Sequence, residues 1–428
     1  MTEQKKRNAW PYQRRNFSGG LFHGIFFQFG MAFSQDTTVL PAFMHALTGS
    51  DFLVGAILTL KRLGVVLPQL FFAHRLESRR YKRPYLIGVI YVRSGIWFLV
   101  GFSTILWADK FPVLTTALVL LLLLVFFFAG GVGELVYSYM VARTISPTSR
   151  GKFFGVRYLL GGFAGMLAGL ISHWIFSTVY PKLLTPTYGI FFLATAAALA
   201  VAGFGFIVMR EPGDTRIVAP RSLPDFLRDA MGLVRRSKVF RKFLVVTMLL
   251  AGIYLALPFF VIFARVKLAV PTAQIGFFIM LQIIGETTTG LIWGALGDRY
   301  GYRLALIGVG LISLLAPLWA LFSGSVWPAG FGMTFALAGM AYRAADMCAR
   351  NYLLEITPDH LVPTCTALKS TLSSPTLLLP ILGGFIANQA GYQMLFLVSA
   401  AVIAMGVLLS FTLFEPRTAG RGLSESLV

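Results

Sequence analysis

Nine ionisable side chains interrupt otherwise apolar stretches of this chain: Asp36, Lys61, Arg62, Arg93, Glu134, Glu286, Arg343, Asp346 and Lys369. Near the centre of a membrane helix each Asp, Lys or Arg costs about 2.5–3.5 kcal/mol, so nine facing lipid would cost on the order of 20–30 kcal/mol. A fold is typically stable by only about 5–15 kcal/mol. Most of these groups must therefore line a watered cavity or pair with one another. Five are positive and four negative, which favours pairing, and a purely structural ion pair is the plain alternative to function at each position. The chemistry that such residues support is the handling of ions and protons. A carboxylate in a dry cavity can load and release a proton, and an arginine fork can hold a carboxylate or phosphate with two hydrogen bonds. Bond-making chemistry has no constellation here. There is no phosphate-cradling loop and no Ser-His-Asp arrangement, and His23, His45, His74, His173 and His360 are scattered without metal-ligand spacing. Cys348 and Cys365 form no disulfide framework. The expectation is no enzyme, no cofactor and no metal.

The elements that must position these charges are apolar segments at about 19–42, 51–73, 84–107, 112–142, 153–178 and 187–209, then at about 241–264, 272–295, 304–322, 328–354, 362–388 and 392–414. That is six, a break and six more. At roughly 20 residues per crossing, twelve spans consume about 240 residues, in keeping with a chain of 428 residues that is 57% apolar and only 13% charged. The formal charge of +20 would suit a nucleic-acid partner, but Lys and Arg gather in alternate connections, so membrane topology explains it and no nucleic acid is expected. The odd-numbered connections carry Lys110, Lys182, Arg265 and Lys267, whereas one short even-numbered connection holds Arg75, Arg79, Arg80, Lys82 and Arg83. The positive-inside rule then puts both termini in the cytoplasm. The basic start (Lys5, Lys6, Arg7, Arg14, Arg15) leads into an apolar run without a small-residue cleavage site, so it reads as an uncleaved first span. In the break, Leu223, Phe226, Leu227, Ala230, Met231 and Val234 recur at helical spacing behind Ser222, Pro224 and Asp225. This predicts an amphipathic helix lying on an anionic inner leaflet. The expected organisation is an N-terminal six-helix bundle over 1–210, a cytoplasmic linker over 211–240 and a C-terminal six-helix bundle over 241–428.

One turn binds this pattern to a known family. Gly294 to Arg303 reads Gly-Ala-Leu-Gly-Asp-Arg-Tyr-Gly-Tyr-Arg, hinged between two apolar segments, and resembles the loop signature of the major facilitator superfamily. Gly294 and Gly297 would allow close helix approach, Gly301 the sharp reversal, and Asp298 would pair with basic groups while Arg299 and Arg303 hold the turn at the cytoplasmic headgroups. Internal echoes extend the resemblance over most of the chain. Segment six ends in Glu211-Pro212 and segment twelve in Glu415-Pro416; segment four runs out through Tyr139 to Pro147, Arg150 and Gly151, and segment ten through Tyr352 to Pro358. The first-half loop, Ala-His74-Arg75-Leu-Glu77-Ser-Arg79-Arg80, lacks the Gly and Asp of the signature. The arginine of segment four and the Gly-Pro pair of segment five that the family's proton-coupled drug exporters carry are also missing. In their place stand Gly130, Gly131, Gly133 and Glu134, and a packing stripe of Gly161, Gly165 and Gly169.

The resemblance implies an all-α membrane protein of two six-helix halves whose first, fourth, seventh and tenth helices line a cavity, which would place Asp36, Glu134, Arg343 and Asp346 there. Arg343 and Asp346 lie three apart and share one helix face. Arg93, on a supporting helix, is expected to pair with Glu134. Lys61 and Arg62 lie about 100° apart on their helix, and an unpaired cation at mid-membrane would favour an anionic ligand, with Gln28 and Tyr137 offering neutral hydrogen bonds. Arg350 is the expected partner of Asp298. The resulting expectation is a multi-pass permease of the cytoplasmic membrane: a monomeric secondary transporter working by alternating access. It would couple to protons through Asp36, Glu134, Glu286 or Asp346, with Asp36 and Glu134 ranked first, and would carry an organic anion or a zwitterion. The alternatives are an exporter of lipophilic compounds, and a receptor or lipid scramblase that kept the fold without the transport cycle.

Overall fold

A computed structural model describes residues 12–77, 81–179, 184–211, 237–357 and 362–415. Within them the chain is helical throughout: α1 (Gln13–Phe33), α2 (Val39–Thr48), α3 (Asp51–Glu77), α4 (Arg83–Trp107), α5 (Pro112–Thr144), α6 (Pro147–Trp174), α7 (Leu184–Val208), α8 (Lys238–Leu250), α9 (Ile253–Ala256), α10 (Phe260–Val266), α11 (Gln274–Tyr300), α12 (Tyr302–Val326), α13 (Met333–Ile356), α14 (Val362–Leu372) and α15 (Leu379–Ser410). Eight stretches among the described residues are long and apolar enough to cross a membrane. Large apolar side chains stay exposed at helical spacing, as with Phe163, Leu167 and Leu170 on α6 and Leu311, Leu315 and Leu318 on α12. Such stripes are what a lipid-bathed surface requires. The chain is an integral, multi-pass membrane protein.

Three of the apolar segments are broken where one helix each was expected. The first stops at Phe33 and restarts at Val39, because five polar residues, Ser34 to Thr38, turn the backbone: Thr38 and Leu40 amides both donate to the Gln35 carbonyl. The segment expected at 241–264 is split into α8, α9 and α10 by a turn at residues 251–252 and a 3-10 turn at Leu257–Phe259, where Pro258 has no N–H to donate and crowds the preceding turn. The segment expected at 362–388 changes to a 3-10 turn at Ser374–Leu378, again around a proline, Pro375. α15 is two helices joined at Gly391, whose φ of +82° is open to glycine and strained for other residues. α13 is long enough to span but carries Arg343, Asp346, Arg350 and Glu355, so it is not among the eight apolar stretches.

The helices fall into two compact units. Unit 1 comprises Met1–Ser50, Leu60–Ala219 and Pro271–Met280; unit 2 comprises Asp51–Thr59, Pro220–Val270 and Leu281–Val428. The first residues of α3 thus belong to unit 2 and the first residues of α11 to unit 1, a division that chain order does not express. In unit 2 the Tyr392 hydroxyl donates to the Asp51 carboxylate at 2.8 Å, and a Cβ on Gly384 would lie 2.9 Å from the Asp51 carbonyl carbon. In unit 1 a Cβ on Gly169 would lie 2.9 Å from the Gly276 carbonyl oxygen, and the His173 Nδ1 is 2.8 Å from the Ala273 oxygen. The glycine stripe of α6 is therefore shared, Gly161 meeting Gln28 of α1 and Gly169 meeting α11. Residues 212–236, where the amphipathic linker helix is expected, lie outside the described residues.

Each unit repeats one device at the start of a helix. In unit 1 the Glu211 carboxylate accepts from the backbone N–H of Lys82 (2.8 Å) and Arg83 (2.8 Å), satisfying amides that the first turn of α4 leaves without partners. The Arg83 guanidinium returns to the last carbonyls of α7, at Phe206 (3.1 Å) and Ile207 (2.5 Å). In unit 2, Glu415 lies against Gly301 at the start of α12, and Arg303 Nη2 donates to the Phe411 carbonyl at 2.6 Å. The glutamates of the two Glu-Pro endings thus each lie at the start of a helix, Glu211 capping the amides of α4 and Glu415 standing against Gly301. Tyr352, which opens the exit from α13, donates to the Phe414 carbonyl at 2.7 Å, while Tyr139 on α5 lies under the Lys82 ammonium, 3.6 Å from its ring. Across the α5–α6 turn, Arg150 donates to Ile145 (3.1 Å) and Ala142 (2.6 Å) carbonyls, closing the end of α5.

Gly301 is the whole connection between α11 and α12, at φ +93° and ψ 149°. That conformation is nearly exclusive to glycine and costs other residues about 1–3 kcal/mol, and a Cβ there would lie 2.8 Å from Glu415 Oε1. Gly301→Ala is expected to lower the thermal unfolding midpoint in detergent by several degrees. Gly294→Ala, in a helix with nothing within 4 Å of the added carbon, is expected to leave it unchanged or raise it slightly. Equal midpoints for the two variants would remove the hinge argument.

Candidate functional site

The charges on the apolar helices sort themselves by partner. In unit 1, Lys61 of α3 donates to the Asp36 carboxylate in the break between α1 and α2, and the two form an ion pair. In unit 2, Arg343 Nε of α13 meets Glu286 Oε2 of α11 at 2.8 Å, with Gln282 Nε2 3.3 Å from the other oxygen. α11 and α13 come this close because glycines face backbone at both levels: a Cβ on Gly285 would lie 2.9 Å from Met340 N, and one on Gly339 2.9 Å from the Gln282 carbonyl carbon. Arg343 thus takes a carboxylate on another helix. Asp346, three residues on and exposed, lies within electrostatic reach of Lys369 on α14. Arg62 has a partner of its own.

Two arginines behave differently. Arg93 of α4 is inserted between aromatic faces, its guanidinium carbon 4.2 Å from the Phe126 ring centre and 5.1 Å from that of Phe27. Its Nε is buried and has no hydrogen-bond partner among the described residues. No ion pair joins it to Glu134 among the described residues; Glu134, on the exposed side of α5, acts on it only electrostatically. Arg157 of α6 lies over the Tyr137 ring at 5.0 Å, and its Nε is likewise buried without a hydrogen-bond partner among the described residues, as is the Tyr137 hydroxyl. The side chain fits because α1 has no side chain opposite: a Cβ on Gly24 would stand 2.5 Å from Arg157 Cγ. His23, one residue earlier, is buried, stacked on Phe206 at 3.8 Å, with Nδ1 3.3 Å from the Ala202 carbonyl. One turn further along α1 and α6, Gln28 meets Gly161.

The result is a polar and aromatic cluster inside unit 1, built from His23, Gly24, Phe27 and Gln28 of α1, Arg93 of α4, Glu134 and Tyr137 of α5, and Arg157 of α6. Two guanidiniums held over π faces and a free phenol hydroxyl can bind a carboxylate or phosphate. Sequence reasoning named Arg93, Glu134, Tyr137 and Gln28 but passed over Arg157. The signal was present: Arg157 continues the Gly161, Gly165, Gly169 stripe at the same four-residue spacing, so it had to share that packed face.

The signature turn is ordered around tyrosine. The Tyr302 hydroxyl donates to Asp298 Oδ1 at 2.8 Å, and its amide lies 3.2 Å from Glu355 Oε2. Gly297 makes room for the Tyr302 ring, 2.7 Å from where a Cβ would be, so its small size serves the turn and not a helix crossing. Gly294 faces open space. Arg299 lies against the Tyr300 ring at 5.1 Å, and Arg350 is exposed on α13.

Residues 254–426 match the family model described as Major Facilitator Superfamily. No curated protein sequence matches the chain. Solved structures do: a mutant of the nucleoside transporter NupG is similar with a TM-score of 0.72 at 15% identity, covering 92% of this chain and 99% of that one. A D-xylose–proton symporter has a TM-score of 0.68 at 12% identity, covering 95% and 99%. A bacterial homologue of the iron transporter ferroportin has a TM-score of 0.64 at 12% identity, covering 93% and 98%. The family model is thus matched over residues 254–426, and the fold of these solved transporters is shared along nearly the whole length of the chain.

Proposed function

We propose that this protein is a secondary active transporter of the cytoplasmic membrane that moves a small organic anion, or a zwitterion bearing a carboxylate, by alternating access coupled to protons. The observation that carries the substrate class is the contrast between its cations. Lys61 and Arg343 are matched to Asp36 and Glu286, whereas the buried Nε groups of Arg93, against Phe126, and of Arg157, over the Tyr137 ring, have no hydrogen-bond partner among the described residues. An uncompensated cation inside a membrane protein is costly, and a bound anion relieves that cost. Arg157 is the proposed anchor, Tyr137 its hydrogen-bonding companion, and Glu134 the proton carrier. The similar structures are a nucleoside transporter, a D-xylose–proton symporter and a bacterial homologue of an iron transporter, which supports transport as the class without choosing the cargo.

The proposed arrangement has twelve spans, both termini in the cytoplasm, and two six-helix halves that rock about the site; the protein works as a monomer. Reporter fusions after Arg236 and after Lys110 are expected to report opposite sides of the membrane; the same side for both would sink this topology. The direct test of function is counterflow in liposomes, with a radiolabelled panel of mono- and dicarboxylates, amino acids and sugar phosphates. Exchange of at least one anionic compound is expected. A second reading, export of lipophilic compounds, draws on the aromatic walls of the same cluster (Phe27, Phe126, Tyr137, Phe206) and takes over if only uncharged or cationic compounds exchange. Binding without any exchange would favour the receptor or scramblase reading.

A further inference from the structure

At the end of unit 1 where α1 begins, α4 begins and α7 ends, Tyr12, Tyr81, Arg83, Pro84, Ile87, Arg210 and Glu211 line an open cleft of about 690 Å³. Its charges are not equivalent. Glu211 is spent on the Lys82 and Arg83 amides, so its negative charge is balanced by the start of α4. Arg83 uses Nε and Nη2 on the closing carbonyls of α7, and Arg15 Nε does the same at Val208, 2.6 Å away. The Arg210 backbone is pinned on both sides by Asn16, which accepts from its N–H at 2.7 Å and donates to its carbonyl at 2.9 Å. Its guanidinium, by contrast, makes no hydrogen bond or ion pair among the described residues; it stands 5.7 Å from the Tyr12 ring. A fixed backbone thus aims an uncommitted planar cation into the cleft, beside a second arginine.

What lies next to the cleft selects the ligand. In the adjoining two turns of α7 the exposed side chains are Phe204, Ile207 and Val208, and along α4 they are Tyr85, Tyr91 and Val92. An apolar track therefore runs straight into a basic, tyrosine-rimmed notch, the sequence of surfaces an inserted phospholipid meets from acyl chain to headgroup. A free inorganic anion would have no use for the track. We propose that this cleft binds an anionic phospholipid, its headgroup phosphate on Arg210 and Arg83 between the rings of Tyr12 and Tyr81, and its chains along the outer faces of α4 and α7. The site is independent of the substrate cluster; its assignment to the inner leaflet rests on the topology proposed above.

The test is native mass spectrometry of the full-length protein titrated with phosphatidylglycerol or phosphatidylcholine. Arg210→Gln and Arg210→Glu are compared with Lys110→Gln, an exposed basic residue far along the sequence as a charge control. Because the Arg210 guanidinium makes no hydrogen bond or ion pair among the described residues and only stands against the Tyr12 ring, these variants should fold, which circular dichroism checks. The wild type is expected to prefer phosphatidylglycerol. Arg210→Gln is expected to bind it about fivefold more weakly, in line with one basic group near an anionic surface, and Arg210→Glu to lose the preference altogether, while Lys110→Gln retains it. Unchanged phosphatidylglycerol binding in both Arg210 variants, or an equal loss in Lys110→Gln, overturns the proposal. So does displacement of the lipid by millimolar inorganic phosphate or glycerol phosphate, which would make this a free-anion site. A failure of counterflow leaves each of these readouts intact, so the two proposals fall separately.

Discussion

Replacing Arg157 by glutamine is expected to weaken binding of an anionic substrate by about a hundredfold or more. Each hydrogen bond to a charged group contributes about 1.5–3 kcal/mol, and an arginine fork that holds a carboxylate makes two of them; about 3 kcal/mol corresponds to a factor somewhat above a hundred in affinity. The protein itself should tolerate the change, because the guanidinium touches the Tyr137 ring but makes no hydrogen bond to another residue among those described. Arg157→Lys keeps the charge and loses the fork, so an intermediate loss is expected. Gly24→Ala offers an independent check, since the new methyl would stand 2.5 Å from Arg157 Cγ and push the guanidinium from its place without altering its charge. Equilibrium binding of a radiolabelled anion to purified protein reads all three. Wild-type affinity in Arg157→Gln would remove this residue from the site. If, in addition, no anion bound the wild type while lipophilic cations did, the exporter reading would replace the one proposed.

Neutralising Glu134 is expected to separate transport from accumulation. With a gradient of one pH unit, a one-proton symporter sustains about a tenfold concentration ratio; Glu134→Gln is expected to reduce that ratio to one while leaving counterflow intact. The structure orders the four carboxylates. Asp36 and Glu286 are held by Lys61 and Arg343, so neutralising either leaves a cation without its partner and should lower stability as well as rate. Asp346 has Lys369 within reach. Glu134 carries no ion pair among the described residues, with Arg93 acting on it from a distance and Tyr137 one turn along α5. Uphill accumulation by Glu134→Gln at the wild-type ratio would defeat this assignment, and its loss in Asp36→Asn alone would move the proton to the Lys61 pair.

The membrane class, the helical segments and the hinge at Gly301 were legible in the sequence because each depends on local chemistry. Apolar runs of a crossing's length need no partner to be recognised, and a single glycine between two long helices leaves the backbone one way to reverse. The Glu-Pro echoes at 211 and 415 likewise announced a repeat, and the structure supplies what they repeat: a carboxylate at the start of α4 and of α12. The breaks at Ser34–Thr38, Pro258 and Pro375 were written there too, in polar runs and prolines that an apolar average smooths over. Which charge meets which was not local. Helical period places Arg343 and Asp346 on one face of α13, yet Arg343 takes Glu286, 57 residues away in sequence, because small residues bring α11 and α13 together. Lys61 finds Asp36 only once the break after α1 turns that carboxylate toward α3. Arg157 depends on an absent side chain at Gly24, 133 residues before it, a vacancy that exists only when α1 lies on α6. A sequence specifies the surface of each helix; the neighbour of that surface is chosen by packing among all of them, and it is the neighbour that decides whether a buried cation is a strut or a ligand.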